Sequence, residues 1–144
     1  MKLHNTMSGK VDELRPLTEG VVTLYTCGLT VYNQPHIGNW IGYIYWDILV
    51  RTLRADGYQV NRTQNITDVA HLVSDDDSGE DKMEKGARLE GLTAWDVAKK
   101  YIAIADHEGY DLLGLIRPDH LVAATSCIDA QIEFAQQLDA KGYL

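Results

Sequence analysis

Residues 21–65 read VVTLYTCGLTVYNQPHIGNWIGYIYWDILVRTLRADGYQVNRTQN, and this stretch decides the fold. It opens with a β-rich apolar run, Val21–Thr26, which predicts a buried strand that ends at Cys27. Apolar residues then recur at three- and four-residue spacing and predict a helix from about Asn39 to Ala55. The predicted apolar face of this helix comprises Ile41, Ile44, Tyr45, Ile48, Leu49, Thr52 and Leu53. A second strand follows from about Tyr58 to Asn65.

This order of strand, helix and strand is a βαβ unit, whose two strands lie parallel in one sheet. The fold class is therefore α/β. Ligands of such sheets bind at the carboxyl ends of the strands. Compact polar sequences follow both predicted strands, Thr26–Thr30 after the first and Asn65–Asp68 at the end of the second. We expect the functional site on the edge of the sheet where these two segments meet.

The rest of the chain predicts a loop and two further helices. Residues 74–91 are charged and contain three glycines, which is typical of a mobile loop with at most one helical turn. Thr93 is a predicted N-cap, and its helix runs to about Gly109. Its inward residues are Ala94, Ala98, Tyr101, Ile102 and Ala105. After a connection at 117–119, a last helix from about Thr125 to Ala140 turns Ile128, Ile132, Ala135 and Leu138 to one side.

Composition limits the functional classes. The chain has 144 residues, of which 45% are hydrophobic, so one compact domain is expected. The formal charge of -8 argues against strong RNA binding by this chain alone. No apolar run approaches the roughly 20 residues needed to cross a bilayer, and the first residues have no apolar signal core. We therefore expect a soluble, cytoplasmic protein without membrane association.

The loop that precedes the first helix has the chemistry of a nucleotide site. Unpaired backbone N–H groups and the positive end of the helix dipole attract phosphate at such a position. His36 can donate to a phosphoryl oxygen, and Asn39 offers an amide donor. Ile37 lies between them, and Gly38 lets a bulky ligand approach the backbone because it has no Cβ. A turn of this composition also occurs for architectural reasons alone.

Other reactive residues have structural explanations of the same kind. Cys27 and Cys127 are expected to be reduced thiols, and either could simply be a small packing residue. Thr30 and Thr67 could cap a loop or a strand end through their hydroxyls. The remaining histidines have no ligand spacing, and the acidic run 75–81 does not fit a calcium loop. These residues gain significance only from the motifs around them.

Four motifs occur in order along the chain, and together they carry a family resemblance. They are Cys27-Gly28-Leu29-Thr30-Val31-Tyr32, His36-Ile37-Gly38-Asn39, Asn65-Ile66-Thr67-Asp68 and Glu80-Asp81-Lys82. The set resembles the ordered motifs of cysteinyl-tRNA synthetases, which are class I aminoacyl-tRNA synthetases. The opening 3–6 and the stretch 115–119 are also similar to that family, so the resemblance covers nearly the whole chain.

The resemblance implies a Rossmann-like (HUP-type) parallel-sheet catalytic domain. Residues 1–115 correspond to its first half and 116–144 to the start of the connective insertion. The second half of the domain and the anticodon-binding domain correspond to positions after Leu144, so the resemblance describes an N-terminal fragment. The implied reaction is ATP-dependent activation of L-cysteine to cysteinyl-adenylate, with Mg²⁺, followed by transfer to tRNA(Cys). His36 and Asn39 would be the catalytic residues, and residues 36–39 would bind ATP.

The resemblance also implies a zinc ion, for which Cys27 is the first of four ligands. Cys27, Gly28, Thr30 and Thr67 would surround the substrate cysteine, whose thiolate zinc prefers to a serine hydroxyl. The other three ligands correspond to positions after Leu144. Since closed zinc sites have four ligands, we expect this chain alone to bind zinc weakly or not at all. A second departure is Asn39, which replaces the family's usual second histidine but keeps a hydrogen-bond donor.

Two alternatives remain open at this point. A cysteine ligase could share the adenylation site but pass cysteine to an amino sugar instead of tRNA. A non-catalytic half-domain could bind a nucleotide or a partner protein. For the isolated chain, we expect no synthetase activity under any of these interpretations, because the lysine-serine signature loop for the phosphates corresponds to positions after Leu144.

Overall fold

The computed structural model describes residues 1–69, 88 and 91–144. Three parallel strands form the main sheet in the order β3-β4-β5, and a separate antiparallel hairpin joins β1 to β2. The strands are β1 (Lys2–Asn5), β2 (Lys10–Glu13), β3 (Val21–Thr26), β4 (Gln59–Ile66) and β5 (His120–Ala123). The described helices are α1 (Ile37–Ala55), α2 (Ala94–Asp106), a π-helix (His107–Leu112), a short 3₁₀ turn (Ala124–Cys127) and α3 (Ile128–Ala140).

The predicted βαβ unit is confirmed. β3 and β4 pair in parallel from Val21 opposite Gln59 to Thr26 opposite Gln64, and α1 connects them. The helix ends where predicted, because Gly57 adopts a φ of 91°. One apolar core lies between this helix and the sheet. Its buried members are Val22, Val50, Leu53 and Val60.

The predicted apolar face of α1 is confirmed only at its C-terminal end, where Leu53 is buried and Leu49 packs against the core. The buried residues of the helix are Asp47, Val50 and Leu53, whereas Ile41, Ile44, Tyr45 and Ile48 are exposed. The aspartate explains the error, because a charged residue breaks the apolar pattern on the side that faces the core. Its carboxylate is satisfied there: Oδ1 accepts from the Ile116 N–H at 2.7 Å and Oδ2 accepts from Arg51 Nε at 2.6 Å.

The second predicted helix exists but ends differently. Thr93 is its N-cap, as predicted, and the Thr93 hydroxyl oxygen accepts from the Asp96 N–H at 3.2 Å. Regular α-helix stops at Asp106, and the chain continues as a π-helix through Gly109 to Leu112 instead of ending at the glycine. Val97, Ala98 and Tyr101 pack with Val31 in a second core cluster. Most of the predicted loop 74–91 lies outside the described residues, as does the motif at 80–82.

The sequence prediction missed β5 and the hairpin of β1 and β2. β5 pairs in parallel with β4 from Thr63 opposite His120 to Ile66 opposite Ala123. It therefore extends the sheet past residue 115, where the sequence placed the end of the catalytic half, and the boundary itself stays a prediction. The predicted last helix is confirmed as α3, which has no fully buried residue, and Ile128 and Ile132 are exposed. Among the described residues, the helices are too short or too polar to span a lipid bilayer.

Candidate active site

A cleft opens at the edge of the sheet where β3 and β4 end. The parallel pairing continues past the strands, because Thr30 and Thr67 form a bridge. The Val31 N–H donates to the Thr67 carbonyl at 3.1 Å, and the Thr67 N–H donates to the Leu29 carbonyl at 2.9 Å. The adjacent cleft has a volume of about 240 Å³. Its described lining consists of residues 28–30, 32–36, 39 and 43.

Gly28 fits at the end of β3 only because it has no side chain. A Cβ on this residue would lie 1.6 Å from the carbonyl oxygen of Asn65, which is far inside van der Waals contact. The Gly28 N–H donates to Asn65 Oδ1 at 2.9 Å, and the same oxygen accepts from the Tyr25 hydroxyl at 2.9 Å. Asn65 Nδ2 donates to Thr67 Oγ1 at 3.1 Å. One amide side chain thus joins the ends of both strands.

His36 is the N-cap of α1, which begins at Ile37, two residues before the predicted start. Its ring nitrogen Nδ1 accepts from the Gly38 N–H at 3.1 Å. Because Nδ1 is an acceptor, the neutral ring carries its proton on Nε2. His36 is exposed and lines the cleft, so this Nε2–H group is available as a donor to a ligand.

Asn39 completes a reciprocal capping box. Its Oδ1 accepts from the His36 N–H at 3.0 Å, while the Asn39 N–H itself donates to the His36 carbonyl at 2.9 Å. The expected set of unpaired backbone donors is therefore smaller than the sequence indicated. Of the first three helical N–H groups, only that of Ile37 has no hydrogen-bond partner among the described residues. An anion at this helix start would meet mainly side-chain donors.

Gly38 has a neighbour that the sequence analysis did not foresee. A Cβ at this position would lie 3.0 Å from Cε1 and 3.1 Å from Nδ1 of the His36 ring. The space beside Gly38 is thus occupied by the imidazole, and the glycine lets the ring fold back over the first turn. Its role toward a ligand stays a prediction.

Cys27 follows the last residue of β3 and is exposed, so a buried packing role is wrong for this thiol. Cys27 and Cys127 are both free cysteines in the structure. Within residues 1–69, 88 and 91–144, no three His, Cys, Asp or Glu side chains are close enough to hold a metal ion. Cys27 therefore belongs to no cluster of three such ligands in the described part of the chain.

The predicted site residues divide into two groups in the structure. Gly28, Thr30, His36 and Asn39 line the same cleft. Cys27, Ile37, Gly38 and Thr67 adjoin it along the chain or through the strand bridge, but they are not part of its described wall. Asp68, the last residue of the third motif, accepts from the backbone N–H of Thr125 at 3.0 Å and from its hydroxyl. That carboxylate fixes the turn before α3.

Two residues that the sequence analysis did not assign contribute to the site. Asn65 belongs to a quoted motif, so its position was marked, but its contacts depend on strand pairing. Tyr43 lines the cleft from the second turn of α1. Burial, with smaller contributions from the negative forms of Cys27 and Tyr110, raises the pKa of Tyr43 to about 12. The hydroxyl therefore keeps its proton throughout the neutral range.

A buried polar network joins the strands of the sheet to the segment before β5. The guanidinium of Arg62 is buried, and burial lowers its pKa. Nε donates to Thr26 Oγ1 at 3.2 Å, and Nη2 donates to Gln64 Oε1 at 2.5 Å. Nη1 donates to the Ile116 carbonyl at 3.3 Å. These bonds connect β3, β4 and the segment before β5.

Comparison with known proteins assigns the chain to a family. The sequence pattern of the family described as tRNA synthetases class I (C) catalytic domain matches residues 13–144. The chain belongs to that family. The resemblance to cysteinyl-tRNA synthetases, read from four short motifs, is thereby confirmed, as is the Rossmann-like fold class.

Individual relatives agree with the family match. The cysteine–tRNA ligase of Treponema denticola is 43% identical over 143 residues, which is 99% of this chain and 29% of the relative. Cysteine–tRNA ligase 1 of Burkholderia lata is 44% identical over 144 residues, covering 100% of this chain and 30% of the relative. The cysteine–tRNA ligase of Novosphingobium aromaticivorans is 41% identical over 141 residues, 98% of this chain and 28% of the relative. The chain spans about three tenths of the length of these curated relatives.

Proposed function

We propose that this chain supplies the nucleotide-binding part of an enzyme that activates L-cysteine with ATP and transfers it to tRNA(Cys). The observation that carries the proposal is the cleft in which Gly28, Thr30, His36 and Asn39 meet beside the carboxyl ends of two parallel strands. Class I synthetases use ATP. The relatives' name, cysteine–tRNA ligase, supports the substrates. These substrates are those of translation, which favours a cytoplasmic reaction.

The chemistry at the proposed site is positioning and charge stabilisation. The carboxylate of cysteine attacks the α-phosphorus of ATP and pyrophosphate leaves, so negative charge grows on the phosphoryl oxygens. His36 Nε2–H and Asn39 Nδ2 are the side-chain donors for that charge, and the Ile37 N–H adds one backbone donor. One such preorganised donor contributes about 2.7–4 kcal/mol to the transition state. No protein nucleophile is required.

The substrate amino acid would occupy the part of the cleft that is lined by Gly28 and Thr30. We place the substrate cysteine there because this wall adjoins the exposed thiol of Cys27. Thr67 stabilises this wall, since its backbone forms hydrogen bonds with residues 29 and 31. Mg²⁺ would accompany ATP as its usual counter-ion.

Zinc does not fit the described residues by themselves. Cys27 would provide one thiolate, which is a suitable ligand type, but a closed zinc site needs four ligands. The test is the zinc content of the purified 144-residue chain after exposure to the metal. We expect less than stoichiometric zinc, and one tightly held equivalent would contradict the inference that one ligand is insufficient.

Cysteine-dependent exchange of labelled pyrophosphate into ATP tests the function. The assay should use this chain and a version extended to the length of the relatives. We expect exchange in the extended protein and none in the short chain. His36→Ala should slow exchange by about 100-fold, while the matched control His107→Ala, an exposed histidine outside the cleft, should have no effect. Absence of exchange in the extended protein would exclude the proposal.

The acceptor is tested separately. Labelled cysteine should become attached to tRNA(Cys) when the extended protein, ATP and tRNA are combined. Transfer to an amino sugar instead of tRNA would identify the alternative cysteine ligase. Binding of ATP without exchange would identify the non-catalytic alternative.

A further inference from the structure

One carboxylate contacts both sides of the proposed nucleotide loop. Glu108 Oε1 accepts from Gln34 Nε2 at 2.9 Å, and Glu108 Oε2 accepts from the indole Nε1 of Trp40 at 3.1 Å. Gln34 lies just before His36, and Trp40 lies just after Asn39. The two oxygens of Glu108 therefore hold the two flanks of the segment that contains every proposed phosphate donor.

The backbone around Glu108 is shaped for this contact. Glu108 is in the π-helix His107–Leu112, and π-turns are uncommon and occur frequently at functional sites. The next residue, Gly109, is buried, and a Cβ on it would lie 3.1 Å from a ring atom of Trp40. The π-helix backbone thus packs directly against the indole whose N–H group Glu108 binds. A larger residue at position 109 would separate the two.

The charge of Glu108 and its hydrogen bonds to the loop should affect ATP binding differently. A carboxylate near a polyphosphate site repels the ligand, so the charge of Glu108 by itself disfavours ATP binding. Its contribution must then come from geometry, since its two hydrogen bonds restrict a loop whose residues at 34, 36 and 39 line the cleft. Removing only a repulsive charge would tighten ATP binding, whereas releasing the loop would weaken it. The two explanations therefore predict opposite changes in the affinity for ATP when Glu108 is removed.

We propose that Glu108 is a positioning residue, which holds the loop from Gln34 to Trp40 in the conformation that binds ATP. This inference rests on the proposed adenylation function. Glu108 touches no reacting group and acts only through its two neighbours. Without it, His36 Nε2–H and Asn39 Nδ2 would sample several orientations, and part of the binding free energy would be spent on ordering them.

The kinetic test uses the extended protein with Glu108→Ala and Glu108→Gln. We expect Glu108→Ala to raise KM for ATP about tenfold, equivalent to about 1.4 kcal/mol, with a smaller change in KM for cysteine. Glu108→Gln keeps one acceptor oxygen and should give an intermediate value. The matched control is Asp111→Asn, which removes the same charge from the same π-helix, where Asp111 pairs with the exposed His107. An unchanged or lower KM for ATP in Glu108→Ala would overturn the inference.

A second measurement does not depend on activity. Hydrogen exchange of the backbone amides of residues 38–40 should be about tenfold faster in Glu108→Ala than in the unsubstituted chain or in Asp111→Asn. Equal exchange rates in all three proteins would also overturn the inference. If the unsubstituted extended protein lacks pyrophosphate exchange, the proposed function fails and Glu108 loses its role with it. If it is active and the Glu108 variants match it, only the role of Glu108 fails.

Discussion

Gly28→Ala most directly tests whether the close backbone contact beside the cleft requires a glycine. The added Cβ would lie 1.6 Å from the Asn65 carbonyl oxygen and 2.8 Å from its carbon. Ordinary contact begins at 3.4 Å, so the end of β3 must move by about 1.8 Å relative to β4. Both nearest atoms are backbone, and no side-chain rotation can relieve the contact.

A movement of that size breaks identifiable interactions. The Gly28 N–H loses its 2.9 Å bond to Asn65 Oδ1, and the bridge between Thr30 and Thr67 is displaced. One lost hydrogen bond costs about 1 kcal/mol, and overpacking costs about 1–3 kcal/mol. We therefore expect a loss of about 2–4 kcal/mol in the free energy of unfolding. For a chain of this size that lowers the melting temperature by about 10 °C.

Urea denaturation followed by circular dichroism measures this change, with Gly42→Ala as the matched control. Gly42 lies inside α1, and a Cβ there meets nothing within 4 Å. The control should therefore stabilise the chain by about 0.5–1 kcal/mol, because alanine has the higher helix propensity. Equal stability of Gly28→Ala and the unsubstituted chain would refute the argument that backbone contact requires glycine at position 28.

Three further predictions follow from the packing. Val50→Ala should cost about 2 kcal/mol while Ile48→Ala changes stability by less than about 0.5 kcal/mol, and the reverse order in urea denaturation would restore the face of α1 predicted from sequence. Arg62→Met should cost about 2–3 kcal/mol in the same assay, because it removes the hydrogen bonds that Arg62 donates to Gln64 Oε1, Thr26 Oγ1 and the Ile116 carbonyl. No loss of stability would mean that this network contributes nothing. The raised pKa of Tyr43 favours the folded state below pH 10, and this contribution is lost between about pH 10 and 12. Tyr43→Phe should therefore flatten the alkaline fall in stability, and an unchanged fall would contradict the burial of that hydroxyl.

The sequence predicted the central βαβ unit because its signals are local. The apolar run of β3, the glycine after α1 and the threonine cap of α2 each act within a few residues. Hydrophobic burial and capping hydrogen bonds therefore leave a readable pattern. Pairing in parallel then follows from the right-handed crossover rule. The same reasoning brought the segments after β3 and β4 together at one edge of the sheet, where the cleft lies, and the functional role of this edge stays a prediction.

The errors of the sequence predictions have two physical causes. Polar side chains are buried in the core, and β5 is held by residues far away in the sequence. Asp47 is buried beside Val50 and Leu53 in α1, and Arg62 and Gln64 are buried beside Val60 in β4, so apolar residues alone do not mark the buried faces of these elements. β5 has only four residues and is fixed by a neighbour: Asp119 Oδ2, just before it, accepts from the Arg62 N–H at 2.7 Å. No window of local sequence contains both partners of such a contact.

At the start of α1, the same two side chains cap the helix and line the cleft. His36 and Asn39 were predicted as ligand donors, but the structure uses both in the capping box as well. The ring Nδ1 and the amide oxygen form the turn, which leaves Nε2–H and Nδ2 for the ligand. Each side chain therefore builds the helix start with its acceptor, and both residues also line the cleft. An asparagine can divide its functions in this way because it has a separate acceptor and donor, which explains how Asn39 can replace a histidine without dismantling the loop.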